Sequence, residues 1–552
     1  MNLFGVISGI VTLLIISLGF PLVIQTERWL GYLWWPYMMG LGFLILFASS
    51  LINTDWLSIV IAIIGGVPSK VVSEFLTAGR ATWVMIGLAE PINKPRRPDV
   101  EFSTEFMQQI AQLFTAELQA QLRGQTEVRI AEIETVMRKM LRQVGEQCLG
   151  GYLTAQDAQY PEPEMACACG SQARYLYRRS AKILSVFGWA EYRRAYYVCP
   201  DCHKGQSPLD ARFGLQPGEV TAGLASLLAM AGVQTSFGEA GQLVERFLLI
   251  EVSENTVRKE SQAFGELQDE LEKAWITQSQ DPQWLQTRQR TVQEYPKRLY
   301  GSLDGAHVPL HREWRELKTG CWYEVETASS HRIPSQRRSH VGDLGTLRAK
   351  AITYYSDIEH AQAFGALMWA TGCQRCADLA REIVFVADGA VWIWKLVEHY
   401  FPNAVQIVDW YHAESYLEPI AQEAFGADDN AAKAWLELVR TDLWEGRIDA
   451  VIQACQLFVN HPQAGTVAHK AVTYYTNNQH RLDYARFREA GYLIGSGTIE
   501  SGCKQIVTKR LKVSGARWTE DGACATAKAR ASWLSGYWLN LSVRRGQLPL
   551  AI

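Results

Sequence analysis

The chain has 552 residues, 48% hydrophobic and 20% charged, which is room for several domains and too apolar for wholesale disorder or a low-complexity chain. Its 54 Lys and Arg stand against 57 Asp and Glu, a formal charge of −3, so a globally basic, histone-like binder is excluded while local basic grooves are not. Eleven cysteines are too sparse for a disulfide-stapled mini-protein, and the odd number argues against complete pairing.

Charge is unevenly spread. Over residues 1–69 only Glu27, Arg28 and Asp55 are charged. Residues 3–24 and 29–52 carry none beyond their flanks, and each run exceeds the roughly 20 residues a helix needs to cross a hydrocarbon core. The polar turn Gln25-Thr26-Glu27-Arg28 between them suits a two-helix transmembrane hairpin. Trp29, Tyr32, Trp34, Trp35 and Tyr37 stand where an interfacial aromatic belt would sit. The rival readings are a cleavable signal peptide and buried helices of a soluble core. No Lys or Arg precedes the first run and a second run follows directly, which weakens the signal peptide. Lys70, Arg80, Lys94, Arg96 and Arg97 follow the head. By the positive-inside tendency the later part is then cytoplasmic, anchored to an inner membrane through residues 3–52. The head, residues 1–65, resembles a small family of bacterial inner-membrane proteins, a resemblance that implies no chemistry.

After a junction at 66–99, residues 100–160 read as helical, with Phe106, Ile110, Leu113, Phe114 and Leu118 at spacings of three and four. Pro161 and Pro163 then break the chain. Residues 161–212 hold a Cys-x-Cys knuckle, Cys167 and Cys169, and a Cys-x-x-Cys knuckle, Cys199 and Cys202. Strands are expected at 173–177, 183–187 and 192–198, which makes a zinc ribbon whose four thiolates close a tetrahedral site. Unrelated cysteines, or a redox pair at Cys199 and Cys202, are the alternatives. A second Cys-x-x-Cys, Cys373 and Cys376, lacks a partner pair and reads as ordinary helix-associated thiols.

Residues 213–295 read as helical, with Ser253 as N-cap of a polar third helix bearing Arg258 and Lys259. That is a helix-turn-helix pattern suited to DNA, with a plain helical linker as the bland reading. Further on, two apolar segments each reach Asp-Gly-Ala, at Asp304 and at Asp388, and are expected to be strands ending in an acidic turn. A third apolar segment reaches Asp409 with His412 three residues on, and Glu500 sits in a Gly-rich turn at the start of a helix. Asp304, Asp388 and Glu500 are the right residue types to hold two Mg²⁺ (or Mn²⁺) ions around a phosphoryl group. Any one Asp-Gly-Ala alone would read as a turn with a solvated acid. Lys504, Lys509, Arg510, Lys512 and Arg517 follow Glu500 with no acid before Glu520, a strip suited to a polyanion.

Leu303-Asp304-Gly305-Ala306, Ala387-Asp388-Gly389-Ala390-Val391-Trp392-Ile393-Trp394 and Asp409-Trp410-Tyr411-His412 together resemble ISKra-type insertion-sequence transposases, relatives of the Mutator-like DDE enzymes. Gly495-Ser496-Gly497-Thr498-Ile499-Glu500 and Arg517-Trp518 complete the likeness, which covers about residues 100–540. It implies a ribonuclease-H-like core at 296–414, an all-helical insertion at 415–490, and a catalytic helix with the basic strip at 491–540. Asp304, Asp388 and Glu500 would be the metal-binding acids, with Asp409 and His412 supporting them. The implied partners are double-stranded DNA, as terminal repeats and target, and further copies of the chain on that DNA. Such enzymes are not membrane proteins, so the whole reads as a chimera, with Met85 or Met107 as alternative starts. Two other functions remain open: a membrane-tethered, zinc-containing DNA-binding protein without catalysis, and a glycosidase using an Asp/Glu pair.

Overall fold

The structure is a computed structural model and describes residues 103–124, 127–157, 162–327, 347–426 and 429–546. The chain divides between Pro91 and Ile92, and all described residues lie in the second part. The membrane hairpin expected over residues 3–52 falls outside them. Among the described residues no helix is long and apolar enough to cross a membrane. The fold class is corrected accordingly: the described residues form a mixed α/β body with two separate sheets.

Two helices come first, α1 (Thr104–Gln121) and α2 (Ile130–Asp157). A four-stranded antiparallel sheet follows: β1 (Glu164–Ala166), β2 (Gln172–Ser185), β3 (Gly188–Val198) and β4 (Gly205–Gln206), in the order β1-β2-β3-β4. The first two strands expected here are one. β2 runs unbroken through Arg178 to Ser180 because each residue pairs with β3, and a bulge near Tyr175 absorbs the irregularity. The Asp157 carboxylate, fully buried at the end of α2, ties that helix to the sheet by accepting the Ala195 amide at 2.9 Å and pairing with Arg178 at 2.9 Å.

After α3 (Pro208–Phe213) come α4 (Ala222–Gln234), α5 (Phe237–Leu248), α6 (Glu254–Ser279) and α7 (Pro282–Thr291). Thr221, Ser236 and Ser253 cap α4, α5 and α6 with their hydroxyls, and Ser236 with Glu239 forms a full capping box. α6, expected as the polar third helix of a helix-turn-helix, has a buried face. Its inward face, with Phe264, Leu271 and Trp275 buried, packs against a later helix so closely that a Cβ on Gly265 would lie 1.9 Å from the Ala525 carbonyl.

The second sheet is built from β5 (Arg298–Pro309), β6 (Trp314–Thr327), β7 (Leu347–Asp357), then α8 (Ala361–Gln374), β8 (Glu382–Ala387), α9 (Val391–Tyr400) and β9 (Val405–Val408). Its order is β7-β6-β5-β8-β9. β5, β6 and β7 form an antiparallel meander, while β8 joins β5, and β9 joins β8, in parallel. The parallel strands are near-continuous apolar runs, as strands covered on both faces must be: Val384, Phe385, Val386 and Ala387 are all fully buried. Helices α10 (Trp410–Glu414), α11 (Leu417–Phe425), α12 (Asp429–Trp444), α13 (Ile448–Gln456), α14 (Gly465–Asn478) and α15 (Tyr484–Glu489) extend this core through Leu417, Val439, Leu443 and Tyr475. The chain closes with α16 (Gly497–Cys503), a π-helical turn (Lys504–Thr508), α17 (Glu520–Leu534) and α18 (Trp538–Arg544).

Candidate active site

β5 and β8 are parallel neighbours with Gly301 beside Phe385. Continuing that register by three residues puts Asp304 level with Asp388. The two acids get there differently. Asp304 lies inside β5, opposite Thr319 of β6, so the first Asp-Gly-Ala is not the strand-end turn expected of it. Pairing with β6 carries β5 on to Pro309. Asp388 does follow the end of β8, in a turn that needs glycine: Gly389 has φ +98°, and a Cβ there would come within 2.8 Å of the Tyr474 ring. Tyr474 donates its hydroxyl to the Asp388 carbonyl at 3.0 Å, and Asp388 Oδ1 accepts the Ala390 amide at 2.9 Å.

Glu500 lies on α16, which packs against β5 and β6. Ser496 Oγ donates to Glu500 Oε1 at 3.1 Å, and Lys504 Nζ stands 3.8 Å from Oε2. Asp304 feels the other two acids. Burial holds the Asp304 carboxyl above the usual carboxylate range and the charges of Asp388 and Glu500 add to this, opposed by hydrogen bonds from the Cys503 thiol and the Gly305 amide. Their oxygens are nevertheless spread more widely than those of the two tightest ligand groups among the described residues. Those are Cys167, Cys169, Cys199 and Cys202, and Asp269, Glu272 and Asp357, each with ligand atoms within 4.8 Å of one another.

The second of these groups already contains its cation. Lys528 Nζ is 2.5 Å from Glu272, 2.6 Å from Asp357 and 3.3 Å from Asp269. Glu272 and Asp357 hold its ammonium well above the ordinary lysine value, against its burial. This is a buried ion cluster joining α6, β7 and α17.

The cysteine group fits a metal such as zinc. Cys167 and Cys202 sulfurs are 3.6 Å apart, and Cys169 and Cys199 sulfurs 3.5 Å. Sulfurs about 2.3 Å from a tetrahedral zinc would be separated by roughly 3.8 Å. Each knuckle is set by backbone: the Cys167 amide donates to the Ser171 carbonyl at 2.8 Å and the Cys199 amide to the Lys204 carbonyl at 3.1 Å. The hydrogen bond from the Ser171 amide, and then the other three thiols, lower Cys169 to about 6, which favours the thiolate a metal requires. Cys373 and Cys376 are both buried, beside Arg288, whose guanidinium reaches the Cys373 carbonyl at 2.6 Å and the Cys376 sulfur at 3.4 Å.

Asp409 caps α10. Its two oxygens accept the His412 and Ser496 amides, each at 2.6 Å, and burial raises its pKa against those bonds. It therefore ties α10 to the loop carrying Ser496, and through Ser496 to Glu500. The partly exposed His412 ring packs 5.8 Å from Tyr416 and 6.0 Å from Tyr474, which are stacked on each other at 4.1 Å.

Among the basic residues, Lys504, Lys509, Lys512 and Arg517 are exposed, as are Arg258 and Lys259 on the first turns of α6. Lys259 is paired with Glu219 at 2.5 Å and Arg258 is held by Asn255 and Gln262. Arg510 is different. It is 2% exposed, donates to the Gly232 carbonyl at 2.7 Å, and lies over the Phe237 and Trp518 rings at 4.3 and 5.1 Å. Burial and the neighbouring Arg530 lower it to about 10. Arg510 is thus a core cation, withdrawn from the set expected to contact DNA. The strip itself returns to the sheet, where the Trp518 amide donates to the Pro309 carbonyl at 3.2 Å at the end of β5.

Three neighbours of the acids were not singled out for a role by sequence reasoning. Cys503 and Ser496 stand three and four residues from Glu500 and share its helical turn and its cap, a spacing that could have marked them. Tyr474, from the helical region between β9 and α16, had no such signal.

Residues 2–86 match a family described as a domain of unknown function, DUF4491. The match ends before the described residues begin, and further along than the residue 65 expected for the head. The chain matches no curated protein.

Proposed function

We propose that the α/β body is a DNA transposase of the ISKra-type, Mutator-like DDE class, which cleaves the ends of an insertion sequence and joins them to target DNA. The observation that carries this reading is the meeting of Asp304, Asp388 and Glu500. Asp304 lies in β5, Asp388 directly follows the neighbouring parallel strand β8, and Glu500 is delivered by a helix packed on β5 and β6. An antiparallel three-strand meander extended by two parallel strands supports a ribonuclease-H-like core. The exposed Lys504, Lys509, Lys512 and Arg517 would take up the phosphates flanking the reacting one.

An all-oxygen donor set of two partly buried carboxylates, Asp304 and Asp388, with the exposed Glu500 suits a hard divalent cation. Asp304, Asp388 and Glu500 would hold Mg²⁺ or Mn²⁺. When bound, such an ion supplies activation of the attacking oxygen and charge neutralisation at the phosphate. The protein's own part is positional: Asp409 fixes Ser496, and Ser496 and Lys504 restrain the Glu500 carboxylate. The ribbon cysteines would hold structural zinc, and the ribbon with α4 to α6 would recognise terminal repeats. The separate match over residues 2–86 supports a chimera of two unrelated parts. Purified protein incubated with its element ends and Mg²⁺ is expected to nick them and transfer them to target DNA, and Asp388→Asn to abolish both. Undiminished transfer by Asp388→Asn would overturn the assignment.

A further inference from the structure

A groove that the acids do not use begins at the same edge of the second sheet. β6 is antiparallel to both β5 and β7, so β7 ends on the same side as β5 and β8. The helices after β7 and β8 therefore both begin there. Their first residues, Ala361 of α8 and Val391 of α9, line a cavity of about 630 Å³ whose walls include Trp392, Lys395, His399 and Tyr400. Val391 follows Asp388 by three residues. On the other side, Lys318 Nζ stands 5.6 Å from the centre of the Trp392 ring, and Lys318 is the cross-strand partner of Gly305, next to Asp304. The groove thus starts three residues after Asp388 and runs along α9 to His399 and Tyr400.

Its chemistry is that of a flat ring next to an anion. Trp392 and Tyr400 are partly exposed aromatic surfaces, and Val391 is exposed to 66%. Lys395 is exposed, with no carboxylate partner among the described residues. The nearby Glu398 is engaged by Arg481 at 2.7 Å. α8 has no side-chain cap, so the positive end of its dipole adds to the charge of Lys395, whereas the start of α9 is answered by Asp388, which accepts the Ala390 amide. A purely apolar ligand would leave that positive charge unanswered, and a bare phosphate would leave the aromatic wall unused. A nucleotide answers both.

We propose that this groove binds an unpaired nucleotide of the DNA strand that passes the acids, with its base stacked on Trp392 and its phosphate drawn to Lys395. The choice of occupant rests on the transposase reading. Base stacking on one aromatic side chain supports a loss of about tenfold in affinity when the ring is removed. The test uses the full chain and a fluorescein-labelled oligothymidylate, with binding read by anisotropy at two salt concentrations. Trp392→Ala is expected to weaken binding about tenfold and Trp392→Phe to restore most of it. Lys395→Ala, an exposed change that leaves the core intact, is expected to weaken binding and flatten its salt dependence. Affinity for fully paired duplex should be unchanged in all three. Equal oligothymidylate affinity in wild type, Trp392→Ala and Lys395→Ala would overturn the proposal. Cleavage of element ends is scored in parallel. Intact cleavage with unchanged affinity removes the groove and keeps the acids, whereas the expected loss of affinity in a chain that cleaves nothing keeps the groove and removes the transposase.

Discussion

A carboxyl group set among two others works against the fold that carries it. Burial and the charges of Asp388 and Glu500 keep the Asp304 pKa raised. For an acid whose folded pKa is raised, the folded state binds the proton more tightly than the unfolded one. Stability is then full below the ordinary Asp value and declines as pH climbs through the raised value. Asp304→Asn is accordingly expected to raise the melting temperature at neutral pH by roughly 2–4 °C, with the gain shrinking as pH falls. Calorimetry over a pH series checks this, and a lower midpoint than wild type at neutral pH would contradict it. Other residues were legible only in part. Arg510 reads as part of a basic strip because sign, not orientation, is what a run of Lys and Arg displays. Ile506, Val507, Arg510 and Leu511 are all buried, a helical spacing that turns Arg510 inward. Asp409 was visible as an acid near the site, but not that both its oxygens are committed to backbone amides.

At the scale of elements, the cysteine knuckles and the Ser253 cap could be read because each is a local pattern with a local cause. Strand continuity could not. β2 and β5 both run past points where composition suggests a break, since their neighbours supply the missing ladder. The outer end of the ribbon has a small core of Ala173, Ala195 and Tyr197 beside the cysteines, so a metal is expected to hold it together. Elemental analysis should find zinc in the wild type and little in Cys199→Ser, whose β1–β4 region should become sensitive to protease. Unchanged zinc content in that variant would exclude the four-thiolate site. The ion cluster joining α6, β7 and α17 offers a second test. Lys528→Met leaves Asp269, Glu272 and Asp357 without their cation, and should destabilise the fold by about 3–5 kcal/mol in denaturant titration. A change near zero would mean that the cluster is not the tie between these elements. Its acids and its lysine fall on three elements distant in sequence, which is why no motif announced it.

Across the whole molecule, the near-zero net charge conceals a local ordering. The described body carries Asp304 in β5 and Asp388 just after β8, a basic strip running from Glu500 back to the end of β5, and an aromatic, lysine-bearing groove that starts three residues after Asp388. The acids and the strip stand out in the sequence because both are runs or repeats. The groove needed the strand order, which brings the starts of α8 and α9 together. The central claim is that Asp388 contacts a divalent cation during strand cleavage. It is tested most directly by metal rescue, with a thiolate in place of the carboxylate. Asp388→Cys is expected to lose Mg²⁺-dependent cleavage of element ends by about a thousandfold and to recover much of it in Mn²⁺, which accepts sulfur more readily. Equal cleavage by wild type and Asp388→Cys in Mg²⁺ would contradict the account.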